Sequence, residues 1–190
     1  MRALVATLLL LPTHAFAATL RVGLQGTFTP GAVAYNTLTD AIAAAANGDV
    51  IEVGNGTWAE TLTISNKRLV LRSVATGGSR PVLQTAAAQP AMTVTNRAVV
   101  TFEGLQWTSA GGRRCMRVTS GADVVLDGVR FQDCVHNDSG AALYVSADSS
   151  VEGASVDFAA RAGLATISVT DRGGGFIWAQ GDVTLEGGSF

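Results

Sequence analysis

A sixteen-residue pattern occurs four times in the second half of this chain, and it constrains the fold more than any other feature. The copies span Met92–Trp107, Met116–Phe131, Leu143–Phe158 and Gly175–Phe190. Within each copy, short stretches alternate apolar and polar residues, which is the pattern of half-buried β-strands. A turn residue separates the second strand from the third, at Gly104, Gly128, Ser155 and Gly187. Three strands per copy with the same inward positions predict one coil of a parallel β-solenoid.

The third strand of each copy ends on an aromatic residue, at Trp107, Phe131, Phe158 and Phe190. Equivalent positions stack in a solenoid, so these side chains are predicted to form one aromatic column inside it. Phe190 ends a strand with no polar cap, and an uncapped coil leaves its apolar face open. We therefore expect a solenoid domain over residues 18–190 that is truncated at its C-terminal end.

Composition excludes several classes of protein. Apolar residues make up 47% of the chain, charged residues 15%, and there are 22 glycines, which indicates a glycine-punctuated β protein rather than a disordered one. The net charge of −2 offers no electrostatic attraction to nucleic acid or to an anionic membrane.

The N-terminus has the features of a targeting segment. Arg2 precedes the apolar run Ala3–Leu11, and Ala15-Phe16-Ala17 is a small-residue cleavage motif. The run is too short for a stable membrane-spanning helix, although a retained anchor is the alternative. We predict a signal peptide over residues 1–17 and a mature chain that is secreted, periplasmic or on the outer cell surface, without a membrane span.

Residues before the repeats predict one helix and several strands. Asn36 or Thr37 can cap a helix that runs to Ala46, and Asn47-Gly48 can end it. A short amphipathic helix at this end would cover the open core of a solenoid. Strands are expected at 19–24, 49–53, 60–64 and 69–71, with a loop at 25–34.

One stretch of the chain reads Leu38-x-x-Ala41-Ile42, followed by Gly48-Asp49-x-Ile51-x-Val53-x-x-Gly56-Thr57-Trp58-x-Glu60-x-Leu62-x-Ile64. This stretch resembles the opening coil of pectin-lyase-like proteins. The resemblance implies an all-β fold, a right-handed single-stranded parallel β-helix with a short N-terminal capping helix. That superfamily contains pectinesterases, polysaccharide lyases and many secreted bacterial surface proteins, so it implies no single activity.

A second resemblance covers the last third of the chain. Two segments carry it, Ser139-Gly140-Ala141-Ala142-Leu143-Tyr144 and Gly173-Gly174-Gly175-Phe176-Ile177-Trp178. Both are similar to the strands of polymorphic outer-membrane-protein repeats. Those repeats usually carry Phe-x-x-Asn, whereas Phe131 here is followed by Gln132-Asp133-Cys134. The resemblance implies a passenger segment of a surface adhesin.

Two cysteines, Cys115 and Cys134, fit an oxidising compartment. They flank the second repeat at ends that approach each other in a solenoid. Both a disulfide and two buried thiols agree with this spacing, because spacing alone does not establish Cβ geometry.

The first strand of each repeat also presents outward positions that stack between coils. One column would contain Thr93, Arg117, Tyr144 and Phe176, and the other Thr95, Thr119, Ser146 and Trp178. Arg117, Tyr144, Phe176 and Trp178 are therefore the predicted ligand-binding residues, since an aromatic strip with polar neighbours could bind sugar rings. The alternative is that they are ordinary outward strand formers.

Acidic residues offer weaker candidates. Glu103, Asp127, Ala154 and Glu186 form an outward column that could bind Ca²⁺, or that serves turn chemistry alone. Arg130 and Asp157 share a slot on adjacent coils and predict a surface ion pair. The connectors 108–115, 132–142 and 159–174 leave one corner, and the weak catalytic candidates that they carry are Asp133, Asp138, Asp171 and Arg172, with His136 beside them.

These features favour a non-catalytic secreted or surface β-helix that binds carbohydrate or a partner surface. One alternative is a polysaccharide lyase or hydrolase acting on an acidic glycan, with a site formed by Asp133, Asp138, Asp171, Arg117 and Arg172. Another is a structural repeat segment of a larger surface protein. No cofactor motif and no metal-ligand spacing occurs in the sequence.

Overall fold

The structure, a computed structural model, describes residues 17–23, 25–85, 89–109, 114–134, 140–159 and 176–189. In chain order the elements are β1 (Thr19–Val22), β2 (Val33–Tyr35), α1 (Leu38–Ala44), β3 (Val50–Val53), β4 (Thr57–Ala59), β5 (Leu62–Ser65), β6 (Arg68–Ser73), β7 (Val82–Thr85), β8 (Met92–Thr95), β9 (Val99–Glu103), β10 (Gln106–Ser109), β11 (Met116–Val118), β12 (Asp123–Asp127), β13 (Arg130–Gln132), β14 (Leu143–Val145), β15 (Ser150–Ala159), β16 (Ile177–Ala179) and β17 (Asp182–Ser189).

The strands form a parallel β-solenoid, as the repeat predicted. A twelve-stranded sheet has the path β2-β1-β3-β6-β9-β12-β15-β13-β10-β7-β4, with β17 paired to β15, and a five-stranded sheet has the order β16-β14-β11-β8-β5. Every pair is parallel and in register between successive coils. The solenoid therefore has three faces: face A (β1, β3, β6, β9, β12), face B (β4, β7, β10, β13) and face C (β5, β8, β11, β14, β16), with β15 and β17 running along both A and B.

The core is a set of inward columns, one for each inward strand position. On face B, Trp107 stacks on Phe131 with ring centroids 5.3 Å apart, and Phe131 stacks on Phe158 at 5.3 Å. All three rings are buried, so the predicted aromatic column is confirmed for them. Phe190, the fourth predicted member, lies outside the described residues.

The helix covers the N-terminal end of the solenoid and packs against β1, β2 and β5. Its buried residues are Leu38, Ala41 and Ile42, which match the amphipathic pattern. Thr37 is the N-cap, and its hydroxyl accepts the N–H of Asp40 at 3.0 Å. With seven residues α1 is short, and none of the helices in the described ranges combines the length and hydrophobicity that crossing a membrane would need.

Side chains from outside α1 form hydrogen bonds with the backbone N–H and carbonyl groups at its two ends. The sequence did not indicate these contacts. The carboxylate of Glu60 accepts the N–H groups of Leu38 and Thr39 at 3.0 and 2.9 Å. At the other end, Lys67 Nζ donates to the carbonyls of Ile42, Ala43 and Ala45 at 2.6, 2.9 and 2.8 Å. These contacts supply partners for the groups that a helix leaves unpaired at its ends.

Three strands were not anticipated from the sequence: β2, β4 and β7. Residues 25–34 were expected to be a loop, but β2 begins at Val33 and pairs with β1. Each missed strand is only three or four residues long, too short to display a clear alternation. Pairing with a neighbouring coil, rather than local propensity, makes these segments extended.

Candidate functional site

The outer surface of face C carries one side chain per coil in a continuous column. Register places Thr63 beside Thr93, Thr93 beside Arg117, Arg117 beside Tyr144, and Tyr144 beside Trp178. Neighbouring strands lie about 4.8 Å apart, so side chains at equivalent positions are in contact distance along the solenoid axis. The column changes from small hydroxyls to a cation and then to two aromatic rings.

Tyr144 lies at the centre of this column. Its ring stacks on Trp178 with centroids 4.5 Å apart and an interplanar angle of 14°. The guanidinium carbon of Arg114 is 4.6 Å from the Tyr144 ring centroid, and that of Arg117 is 5.6 Å from it. Both distances are within the range of cation–π attraction. We call Arg114, Arg117, Tyr144 and Trp178 the arginine–aromatic ladder.

A hydrogen bond and a close backbone approach at Gly140 fix the chain beside the arginine–aromatic ladder. Arg114 Nε donates to the carbonyl of Gly140 at 3.2 Å. A Cβ added at Gly140 would lie 2.9 Å from the Cβ of Trp178 and 2.6 Å from the carbonyl oxygen of Leu143. Gly140 therefore lets the chain pass directly beside Trp178, and the carbonyl of the same residue orients Arg114.

A disulfide lies next to the ladder. Cys115 and Cys134 are bonded, with Cα atoms 5.7 Å apart, so of the two arrangements that the sequence allowed the structure has the bridge. Both residues are buried. The bond joins the segment that carries Arg114 to the segment after β13, and it thereby ties the start of one coil to its end, at the corner from which the connectors leave.

The assignment of Phe176 to the outer surface is wrong. Phe176 is 7% exposed and packs against Phe158, with ring centroids 6.0 Å apart. Register pairs Ile177 with Leu143, so Trp178, and not Phe176, is the neighbour of Tyr144. Phe176 occupies the corner position before the strand, equivalent to the buried residues Ala91, Cys115 and Ala142 of earlier coils. That position points inward because the chain turns there.

A second column on face C carries hydroxyl groups, at Ser65, Thr95, Thr119 and Ser146. The hydroxyl of Thr119 donates to that of Thr95 at 3.2 Å. Ser146 Oγ donates to Asp148 at 2.6 Å, and this hydrogen bond, opposed by partial desolvation, lowers the pKa of Asp148 below its ordinary value. The ladder is therefore bordered on one side by hydroxyl groups.

Of the candidate catalytic residues in the connectors, the structure describes only Asp133. Asp133 lies at the turn after β13 with a φ of +51°, and its N–H donates to Ala159. Asp138, Asp171, Arg172 and His136 lie outside the described residues. Within the described ranges, no group of three or more His, Cys, Asp or Glu side chains is arranged to hold a metal ion.

Register confirms the outward acidic column, in which Glu103, Asp127, Ala154 and Glu186 are successive neighbours. It also places Arg130 beside Asp157, but the predicted ion pair between them is wrong. Asp157 instead accepts the hydroxyl of Ser189 at 3.0 Å, and among the described residues the single ion pair joins Arg72 to Glu52. Shared register brings two backbones together without orienting their side chains toward each other.

Sequence reasoning missed Arg114, which was treated as part of a connector. Its position directly before Cys115, at a corner beside the first strand, was the available signal. It also missed a cleft of about 610 Å³ near β1, β2 and β4, lined by Arg21, Tyr35, Asn36 and Trp58 among others. Four of its ten lining residues come from segments that were expected to be loops or turns, at Gln25, Ala34, Asn55 and Gly56.

The ladder combines flat rings, guanidinium donors and neighbouring hydroxyls on a rigid parallel sheet. Such a surface can stack on a ring and donate hydrogen bonds to its substituents. No family model matches this chain, and no curated protein or solved structure is significantly similar to it.

Proposed function

We propose that this chain is an exported β-helix module that binds a glycan through the arginine–aromatic ladder, without catalysing its cleavage. The observation that carries the proposal is the stack of Trp178 on Tyr144 at 4.5 Å, with Arg114 and Arg117 over the Tyr144 ring. We further propose that the module belongs to the pectin-lyase-like superfamily and acts as an adhesin-like surface segment.

The chemistry of the ladder supports a glycan. Sugar rings present C–H faces that pack against aromatic rings, and hydroxyl groups that accept from guanidinium N–H donors. Thr95, Thr119 and Ser146 add donors and acceptors along the same face. The face therefore offers the mixed apolar and polar surface that recognition of a hydroxylated ring needs.

Rigidity supports the same proposal. Tyr144 and Trp178 are half-buried and packed on each other, and they stand on paired strands. Aromatic side chains with two torsions, held in advance of binding, lose little conformational entropy when a ligand is bound. Binding energy is then expected to concentrate on these two residues.

A glycan array followed by calorimetric titration with the best oligosaccharide tests the proposal. We expect Tyr144→Ala/Trp178→Ala to weaken binding by at least about thirtyfold, which corresponds to about 2 kcal/mol. Val125→Ala is the matched control, because Val125 is an exposed apolar residue on face A, 41% exposed. A folded double variant that binds as tightly as the wild type would place the site elsewhere, and a wild type that binds no glycan would exclude this ligand class.

Export is the second part of the proposal. The N-terminal sequence of material recovered outside the cell is expected to begin at Ala18, after the Ala15-Phe16-Ala17 motif. Recovery of a chain that still begins at Met1 would show that residues 1–17 are retained.

A further inference from the structure

Asp49 is a buried carboxylate, 6% exposed, in the turn between α1 and β3. Its Oδ2 accepts the N–H of Ala46 at 2.8 Å, and its Oδ1 accepts the backbone N–H of Ala18 at 2.7 Å. Both donors are neutral amides in the uncleaved chain. A buried carboxylate is ordinarily stabilised by a cation as well as by hydrogen bonds.

Among the residues that the structure describes, no side chain supplies such a cation. Within the described ranges, the ion pair of the chain is Arg72–Glu52, so Asp49 has no arginine or lysine within 4.0 Å there. Lys67 lies in the turn before β6, but its Nζ donates to the carbonyls of Ile42, Ala43 and Ala45. Among the described residues, the donor that reaches the Asp49 carboxylate from outside its own turn is the nitrogen of Ala18.

Ala18 is the first residue after the cleavage motif Ala15-Phe16-Ala17. Cleavage of the Ala17–Ala18 peptide bond by water leaves a carboxylate on Ala17 and a free amine on Ala18, which is protonated near neutral pH because an α-amino group has a pKa of about 8. The neutral amide donor at 2.7 Å would thus become an ammonium group facing the buried carboxylate.

We infer that Asp49 is the receptor site for the N-terminal ammonium group that removal of the leader creates. Cleavage makes the donor a cation, so an attraction between opposite charges is added to a hydrogen bond whose acceptor is already a carboxylate. Ala18 is held there by a second contact, since its carbonyl accepts the N–H of Val50 at 3.0 Å and β1 pairs with β3 from Thr19 onward. The first strand of the solenoid is therefore secured most firmly in the processed chain. This inference rests on the proposed export of the protein.

The test compares chains that begin at Ala18, released without extra residues from an N-terminal fusion. One form has a free amine and the other is acetylated on Ala18, which keeps the N–H donor but removes the charge. Each form is prepared with the native Asp49 and with the Asp49→Asn substitution. Urea titrations then give the unfolding equilibrium constant of all four proteins.

We expect acetylation to raise the unfolding constant at least tenfold when Asp49 is present, and by less than twofold in the Asp49→Asn variant. The effect should also disappear as pH rises through the pKa of the amine, because the deprotonated amine carries no charge. Equal unfolding constants for the free and acetylated forms with Asp49 would overturn the inference. A start site other than Ala18 in exported protein would instead refute the proposed cleavage after Ala17, so the two failures are distinguishable.

Discussion

At the scale of single residues, Gly140 lies against the backbone of Trp178 and has a φ of +66°. We expect Gly140→Ala to lower the free energy of unfolding by about 2–4 kcal/mol, because a left-handed conformation is unfavourable for alanine and the added methyl group clashes with Leu143 and Trp178. Gly128→Ala is the control, since Gly128 has a φ of +56° with open space around it. It should cost only about 1–2 kcal/mol. Equal losses in urea unfolding would show that the contact with Trp178 imposes no constraint.

Glu52 links the stability of the protein to pH. Burial raises its pKa, but hydrogen bonds from the Thr29 hydroxyl, Arg72 and the Thr29 N–H outweigh burial and hold the pKa below its ordinary value. A carboxyl group whose pKa is lowered by folding stabilises the protein above its unfolded pKa, and this contribution is lost as pH falls through the folded pKa. Stability should therefore decline below about pH 4. Glu52→Gln should flatten that part of the pH profile of unfolding, and an unchanged slope would contradict the assignment.

At the scale of elements, the strands of face B owe their packing to the inward aromatic column. Phe131 is fully buried and stacks on Trp107 and Phe158 on adjacent coils. Phe131→Ala should lower the free energy of unfolding by about 3–5 kcal/mol, because it leaves a cavity between two rings. Val125→Ala on the outer surface of β12 should cost less than about 1 kcal/mol. A loss below about 1 kcal/mol for Phe131→Ala would argue against the column as a source of stability.

Elements also show where prediction from sequence succeeds and where it fails. The alternation within the repeats was sufficient to predict short parallel strands and the inward positions of Trp107, Phe131 and Phe158. Phe176 was misassigned because alternation does not hold at a corner, where two successive residues can both point inward. The Arg130–Asp157 pair failed for a different reason: register determines which backbones are neighbours, but rotamers and competing partners such as Ser189 determine which side chains meet.

At the scale of the whole molecule, each coil contacts only its neighbours, so stability is expected to vary along the axis. Val124 and Leu126 of β12 are buried, whereas the equivalent Val183 and Leu185 of β17 are only partly buried. Amides of β12 should exchange with deuterium at least about tenfold more slowly than those of β17, after correction for intrinsic rates. Mass spectrometry of peptides from the intact chain measures this difference. Equal protection would mean that the coils unfold as one cooperative unit.

The sequence by itself determined the solenoid, the three strands of the repeated coils, the inward positions of Trp107, Phe131 and Phe158, and the capping helix. It could do so because a period of two and a repeated coil specify which residues share a column, independently of connector length. Only the tertiary structure decided the Cys115–Cys134 bond, the approach of Arg114 to Tyr144 and the contact of Ala18 with Asp49. These contacts join segments on different coils or at corners, and their geometry depends on how far each connector displaces the chain. A linear pattern of apolar and polar residues does not specify that displacement.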